Sequence, residues 1–336
     1  MPFNSIGDLA SSMMLSHSNL QAKRTMMRLS QELTTGITSD VGGALRHDYS
    51  AQMGWERSIA SSQVREKTLA EAMTRIQAKQ TVLDTLSQSV TDLANNTSLA
   101  LTAGTTAGLD SASAHAKSAL DQALAHLNMQ SAGHSLFAGA ASDGPAIADT
   151  DTILASVKAA VVGAVTVSDV ISSVQAWMDD TVNGFPAVAY LGSEEPSGTI
   201  RIDGNRTLTE GLRADDPAIK GTLQNLIMAS LATDQDLALS RENKSAVLQQ
   251  ATNGLRAADG QITQLQAALG HTESEIAGGL VQAGAEISTA ELLRAQTLGI
   301  DQYETASKLQ EAELQLEKIY MLTARSAQMS LLEYLR

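Results

Sequence analysis

Apolar residues recur at helical spacing along most of the chain, and the longest pattern is a seven-residue repeat. Leu69, Ile76, Leu83, Val90 and Thr97 mark one position of it. Ala72, Leu86, Leu93 and Ala100 fall three residues after them, with Lys79 interrupting that second series. Such a seam predicts a long helix from about Trp55 to Leu101 with coiled-coil-like packing. A second run, Leu255, Ala258, Ile262, Leu265, Leu269, Thr272 and Ile276, steps by three and four along a helix beginning near Ser240. It is the natural partner of the first, and it can cover the heptad seam within one chain.

The two ends carry a different pattern. Near the start, Leu15, Ala22, Met26, Leu29 and Leu33 form one stripe, and Met13, Leu20 and Met27 form a second beside it. Gly36 suits the position just past a helix end, and residues 36–54 read as a loop. Near the finish, Leu309, Ala312, Leu316, Ile319, Thr323 and Ala327 repeat at helical steps, and Leu331, Leu332, Tyr334 and Leu335 close the run. Both terminal helices present more apolar surface than one partner helix can bury, which points to burial against other molecules. The candidate subunit interface is therefore Leu15, Leu20, Met26, Leu29, Leu33, Leu309, Leu316, Ile319, Leu331, Leu332, Tyr334 and Leu335.

Between the long helices the character changes. Leu109, Ser113, Ala116, Leu120, Leu124 and Leu127 continue a helical period to about Leu136. Residues 141–216 then hold three of the five prolines and twelve acidic against four basic side chains. A short helix is predicted over Asp169–Asp179, and strands over Ala187–Leu191, Thr199–Ile202 and Thr207–Thr209, with a turn at Asp203-Gly204-Asn205. Asp216-Pro217 offers an N-cap followed by proline at the first helical position.

The fold class expected is mainly α: long antiparallel coiled-coil-like rods built from the N- and C-terminal halves, with a small inserted α/β or β-rich domain. The implied boundaries are 1–48 and 299–336 for a terminal assembly domain, 49–140 and 217–298 for the rod, and 141–216 for the insertion.

Composition narrows the function classes. Only 3% of residues are aromatic, with 3 Phe and 2 Trp among 336, a palette of narrow helical seams rather than a compact enzyme core. The absence of cysteine excludes disulfides and thiolate metal sites. A net charge of −14 disfavours nucleic acid as a partner. No apolar run is long enough to span a membrane, and the first residues lack the pattern of a cleaved secretory signal.

No catalytic constellation is legible, and no cofactor or metal is called for. The histidines His17, His47, His115, His126, His134 and His271 lack metal-ligand spacing, and His126 and His134 read as packing or surface residues eight apart on one helical face. Asp149, Asp151 and Thr152 look like the start of a calcium loop, but the glycine and the closing glutamate are missing, so a polar loop is the better reading. Met13, Met14, Met26 and Met27 fit adaptable packing better than a soft-metal site. An enzyme or effector with its activity in residues 141–216 would need a pocket of convergent titratable groups, and none is apparent there.

Three motifs resemble the axial proteins of the bacterial flagellum. The stretch LSQELTTGITSDVGG, Leu29 to Gly43, resembles the N-terminal signature of flagellins and hook-associated proteins, with Leu33, Thr35 and Gly36 at its turn. SLFAG, Ser135 to Gly139, is similar to an element of the hook–filament junction family, carried by Leu136, Phe137 and Gly139. The last helix, Tyr303 to Leu335, resembles that family's final helix through Ser330, Leu331, Leu332, Tyr334 and Leu335. The closing Arg336 is flagellin-like, whereas the loop SDVGGALRHDYS departs from the common flagellin pattern. The resemblance covers both ends and the rods but not the middle. It implies a non-enzymatic subunit of the flagellum, exported without a cleaved signal by the flagellar type III route. It implies a ring of identical copies at the hook–filament junction, the first hook-associated protein and flagellin as neighbours, and a cytoplasmic export chaperone on the C-terminal helix. The alternative it leaves open is a minor flagellin that forms the filament itself.

Overall fold

The computed structural model describes residues 5–46 and 49–334, and within them the chain is mainly helical. In order, the elements are α1 (Ser5–Thr35), α2 (Val41–Ala44), α3 (Ser50–Ala103), α4 (Thr106–Leu127), a β1–β2 hairpin (Gln130–Ser131, His134–Ser135), α5 (Thr150–Val161) and α6 (Val167–Asp179). A π-helical turn follows at Phe185–Ala189, then β3 (Thr199–Arg201), β4 (Thr207–Thr209), α7 (Pro217–Leu231), α8 (Arg241–Leu298) and α9 (Gln302–Tyr334). No helix among the described residues is long and apolar enough to cross a membrane.

The chain divides into two units: a terminal one of residues 1–63 and 284–336, and a central one of residues 64–283. In the central unit the heptad positions of α3 are buried without exception from Leu69 to Thr97, and Lys79, 1% exposed, is buried with them. Their cover is α8. Gln80 Nε2 donates to the Gln266 carbonyl (2.8 Å), Ser87 Oγ to Asp259 (2.5 Å) and Arg256 to Ser98 Oγ (2.8 Å). The falling partner numbers make the two helices antiparallel, and Leu255, Ile262, Leu269 and Ile276 sit in the seam.

α4 packs on α7, and Ser113 Oγ donates to the carbonyls of Ala229 (2.9 Å) and Ser230 (2.8 Å). The helix predicted to reach Leu136 stops at Leu127. The Asn128 side chain pairs both ways with the Ile147 backbone (2.8 and 2.9 Å), which takes the chain off the helical path. The β1–β2 hairpin then turns through Ala132 and Gly133, both at positive φ, as a type I′ turn requires. His126 therefore lies in the last turn of α4 while His134 lies in β2, not on a shared helical face.

The segment 135–139 is a node of the core. Phe137 is fully buried, its carbonyl accepts from Ala214 N (2.9 Å), and Ala138 O accepts from Ser193 N (2.9 Å). Gly139 has φ +60°, and a Cβ there would collide with the Ser193 and Glu195 carbonyls, so glycine is required.

Residues 141–216 are more helical than their sequence pattern predicts. Asp149 is not a calcium ligand but the N-cap of α5, accepting from Thr152 N (2.9 Å), which also holds its carboxyl below the usual range. α6 opens with a capping box between Thr166 and Asp169. The strand predicted over Ala187–Leu191 is instead the end of the π-helical turn followed by one bridge, Ile147 to Tyr190. Phe185 at its start is buried edge-on to Trp177 at 6.2 Å, and that anchoring overrides the local strand preference. β3 and β4 pair antiparallel around the predicted turn. There the Asp203 carboxylate accepts from Asn205 N and Arg206 N (both 2.8 Å), and its pKa falls to about 2. Asp216 caps α7, accepting from Ala218 N (3.0 Å), with Pro217 first in the helix.

Candidate assembly interface

The terminal unit is built on an antiparallel hairpin of α1 and α9. Gly36, at φ +72°, ends α1 because it tolerates the left-handed conformation. The chain beyond it then pairs with the turn before α9. Thr38 N donates to Leu298 O (2.8 Å), Ile300 N donates to Gly36 O (3.1 Å), and Ile37 bridges Gly299. Farther along, the Lys23 ammonium lies over the Tyr320 ring, 5.7 Å from its centre.

Glu32 locks this junction. It is 5% exposed, and its Oε1 accepts from Ser39 N (2.9 Å), from Ser39 Oγ and from Arg28 (3.3 Å). Burial alone would raise the carboxyl's pKa, but the Ser39 hydrogen bonds and the Arg28 charge together hold it below the usual value.

The sequence-predicted interface residues separate into two sets. Leu29 and Ile319 are buried, and Leu15, Met26, Leu33, Leu309 and Leu316 are half-buried. With Ala22, Thr305 and Ala312, also buried, they mark the inner face of each helix. Leu20 is 54% exposed and belongs to the second stripe with Met13 and Met27, both 68% exposed. That stripe lies two residues, or about 200° of helix, from Ala22 and Leu29.

α9 repeats the arrangement. Leu314 is 55% exposed and Met321 60%, again two residues on from Ala312 and Ile319, with Leu322 beside them at 57%. These three stand outside the sequence-predicted set, although the seven-residue spacing of Leu314 and Met321 and their two-residue offset from the inner stripe are visible in the sequence. Leu331, Leu332 and Tyr334 belong to the last turns of α9, and Leu335 lies outside the described residues. The hairpin thus satisfies one apolar stripe on each helix and leaves another open to solvent.

Chemistry of other kinds is sparse. Among the described residues no group of histidines and carboxylates could hold a metal ion. The most unusual titratable cluster is in the central unit, where Lys79 Nζ lies 3.7 Å from Glu210 and 3.4 Å from the Leu212 carbonyl. Arg75 holds the same carboxylate at 2.7 Å. Burial depresses the Lys79 pKa, Glu210 opposes that effect, and Arg75 adds to it. The cluster ties the strand end after β4 to α3 and borders a cavity of about 210 Å³ floored by Ile76, Leu265 and Leu269. It explains how a lysine occupies a heptad core position.

By its fold, this is a mainly helical protein with paired long helices and a hairpin made from its two end helices. A solved structure with a similar fold is a protein provisionally named a flagellar hook-associated protein, from Vibrio parahaemolyticus. The TM-score is 0.51 at 12% identity, with 75% of this chain and 99% of that one covered. No family model and no curated protein matches the chain.

Proposed function

We propose that this chain is a non-enzymatic structural subunit of the bacterial flagellum. In the finer form of the proposal it is the adaptor at the hook–filament junction. The observation that carries the reading is the second apolar stripe of the terminal hairpin. Met13, Leu20, Met27, Leu314, Met321 and Leu322 are all more than half exposed, although the hairpin has already paired its inner faces. Full burial of one such side chain contributes about 1.5–3 kcal/mol. Ordering two chains costs about 4–15 kcal/mol, so one shared contact is marginal and several neighbours at once are favourable. A closed ring of identical copies supplies them. The three terminal and internal motifs support the flagellar assignment, and the fold likeness supports it independently.

In this reading residues 1–48 and 299–336 form the assembly domain, 49–140 and 217–298 a coiled-coil-like rod, and 141–216 an acidic outward insertion. The ring sits between the first hook-associated protein and flagellin, outside the cell. The chain reaches it through the flagellar type III channel, after a cytoplasmic chaperone has covered α9. Deleting the gene and imaging the cells tests this. Hooks without filaments, with flagellin shed into the medium, are the expected result, and normal filaments would sink the junction role. Filaments grown from the purified protein alone would favour the minor flagellin instead.

A further inference from the structure

Exposed methionines are concentrated in the terminal unit. Met13 is 68% exposed, Met14 73%, Met27 68%, Met53 59% and Met321 60%. In the central unit Met178 and Met228 are buried at 2% and 3%, Met73 packs against the core, and Met129 is 43% exposed. Met13, Met27 and Met321 lie on the open stripes of α1 and α9, where leucine would supply the same apolar area. Methionine differs from leucine in one respect that matters here: a two-electron oxidant turns its thioether into a polar sulfoxide, reversibly.

We infer that the terminal hairpin is a methionine-oxidation site, at which hydrogen peroxide switches assembly off and methionine sulfoxide reductases, drawing two electrons from a dithiol and releasing the sulfoxide oxygen as water, restore it. The inference rests on the assembly reading above. In the step, the thioether sulfur of Met13, Met27 or Met321 attacks one oxygen of the peroxide. An S–O bond forms, the O–O bond breaks, and the second oxygen leaves as water with both protons. Sulfur loses two electrons and the peroxide gains them. The sulfoxide then presents a strong hydrogen-bond acceptor to a surface whose partner is apolar, and burying it without a donor is unfavourable. Exposure sets the order: solvent reaches the stripe before the central core, so the interface is altered while the fold survives. Once assembled, the same sulfurs are covered, and before export the chaperone covers Met321, which leaves Met13 and Met27 on α1 as the sulfurs open throughout the time before incorporation.

The test treats the full chain with hydrogen peroxide, maps sulfoxides by peptide mass spectrometry over time, and measures binding to isolated hooks that lack this subunit. Met13, Met14, Met27, Met53 and Met321 should oxidise before Met178 and Met228. Binding should be lost with helical content unchanged, and recovered after treatment with reductases for both sulfoxide epimers. A chain carrying Met13→Leu, Met14→Leu, Met27→Leu and Met321→Leu should bind after peroxide as it did before. Uniform oxidation of all methionines, undiminished binding by oxidised protein, or a leucine variant as sensitive as the parent would each overturn the inference alone. Failure of the untreated protein to bind hooks would overturn the assembly reading and the inference together.

Discussion

The two units treat their apolar residues in opposite ways. Among the described residues the central unit buries fifty-seven apolar side chains and leaves eight large ones exposed. The terminal unit buries eight and leaves thirteen large ones exposed. The exposed residues of the central unit are mostly single valines, such as Val64, Val162 and Val182, of the kind any protein surface carries. Those of the terminal unit are methionine, leucine and tyrosine, repeated at helical spacing. The central unit buries most of its apolar side chains in its own core, while the terminal unit keeps apolar stripes exposed among the described residues.

Core changes should therefore act on stability in the central unit, and stripe changes on association through the terminal unit. The largest stability loss should follow Phe137→Ala. It empties the core node next to Gly139 and should cost about 3–5 kcal/mol in a denaturant melt. Glu210→Gln should cost a similar amount, about 3–5 kcal/mol, because it strands the buried Lys79 ammonium with the Leu212 carbonyl alone. The same lysine makes a pH prediction. Its folded pKa lies below the ordinary lysine value of 10.5, so the unfolded chain binds that proton more tightly. Stability of the central unit should therefore rise with pH from the lowered pKa up to about 10.5, and Lys79→Met should abolish that rise.

Glu32→Gln should act more mildly. Weakening its hydrogen bonds to Ser39 and Arg28 should cost the terminal unit about 1.5–3 kcal/mol. Glu32 has a folded pKa below the ordinary glutamate value of 4.5, so its contribution is fully present above 4.5. That contribution is lost as pH falls through the depressed value, and the glutamine variant should lack this acid-dependent part of the melt.

Much of the helical framework was legible in the sequence because it follows from periodicity. The heptad of Leu69 to Thr97, the stop at Gly36 and the Asp216-Pro217 start each have a local cause. The failures lie where a distant contact decides. Nothing near Asn128 announces that its amide will pair with Ile147 and end α4 nine residues before Leu136. Residues 187–191 carry strand-compatible side chains, but Phe185 packing on Trp177 folds their start into a π-helical turn. Lys79 looks like an interruption until Glu210, far along the chain, is brought beside it. The terminal hairpin was half legible. Apolar spacing identified α1 and α9, but it could not say which stripe the hairpin would close and which it would leave open.

In the proposed assembly the open stripe, not the closed one, makes the contacts between subunits. A chain with Leu20→Asp and Met27→Asp tests it most directly, with thermal melting and incorporation at hook ends measured on the same protein. Exposed positions tolerate such changes within about 0.5 kcal/mol, so the melt should be unchanged while incorporation and filament growth are lost. A variant that still incorporates and supports filaments, with its melt intact, would contradict the account.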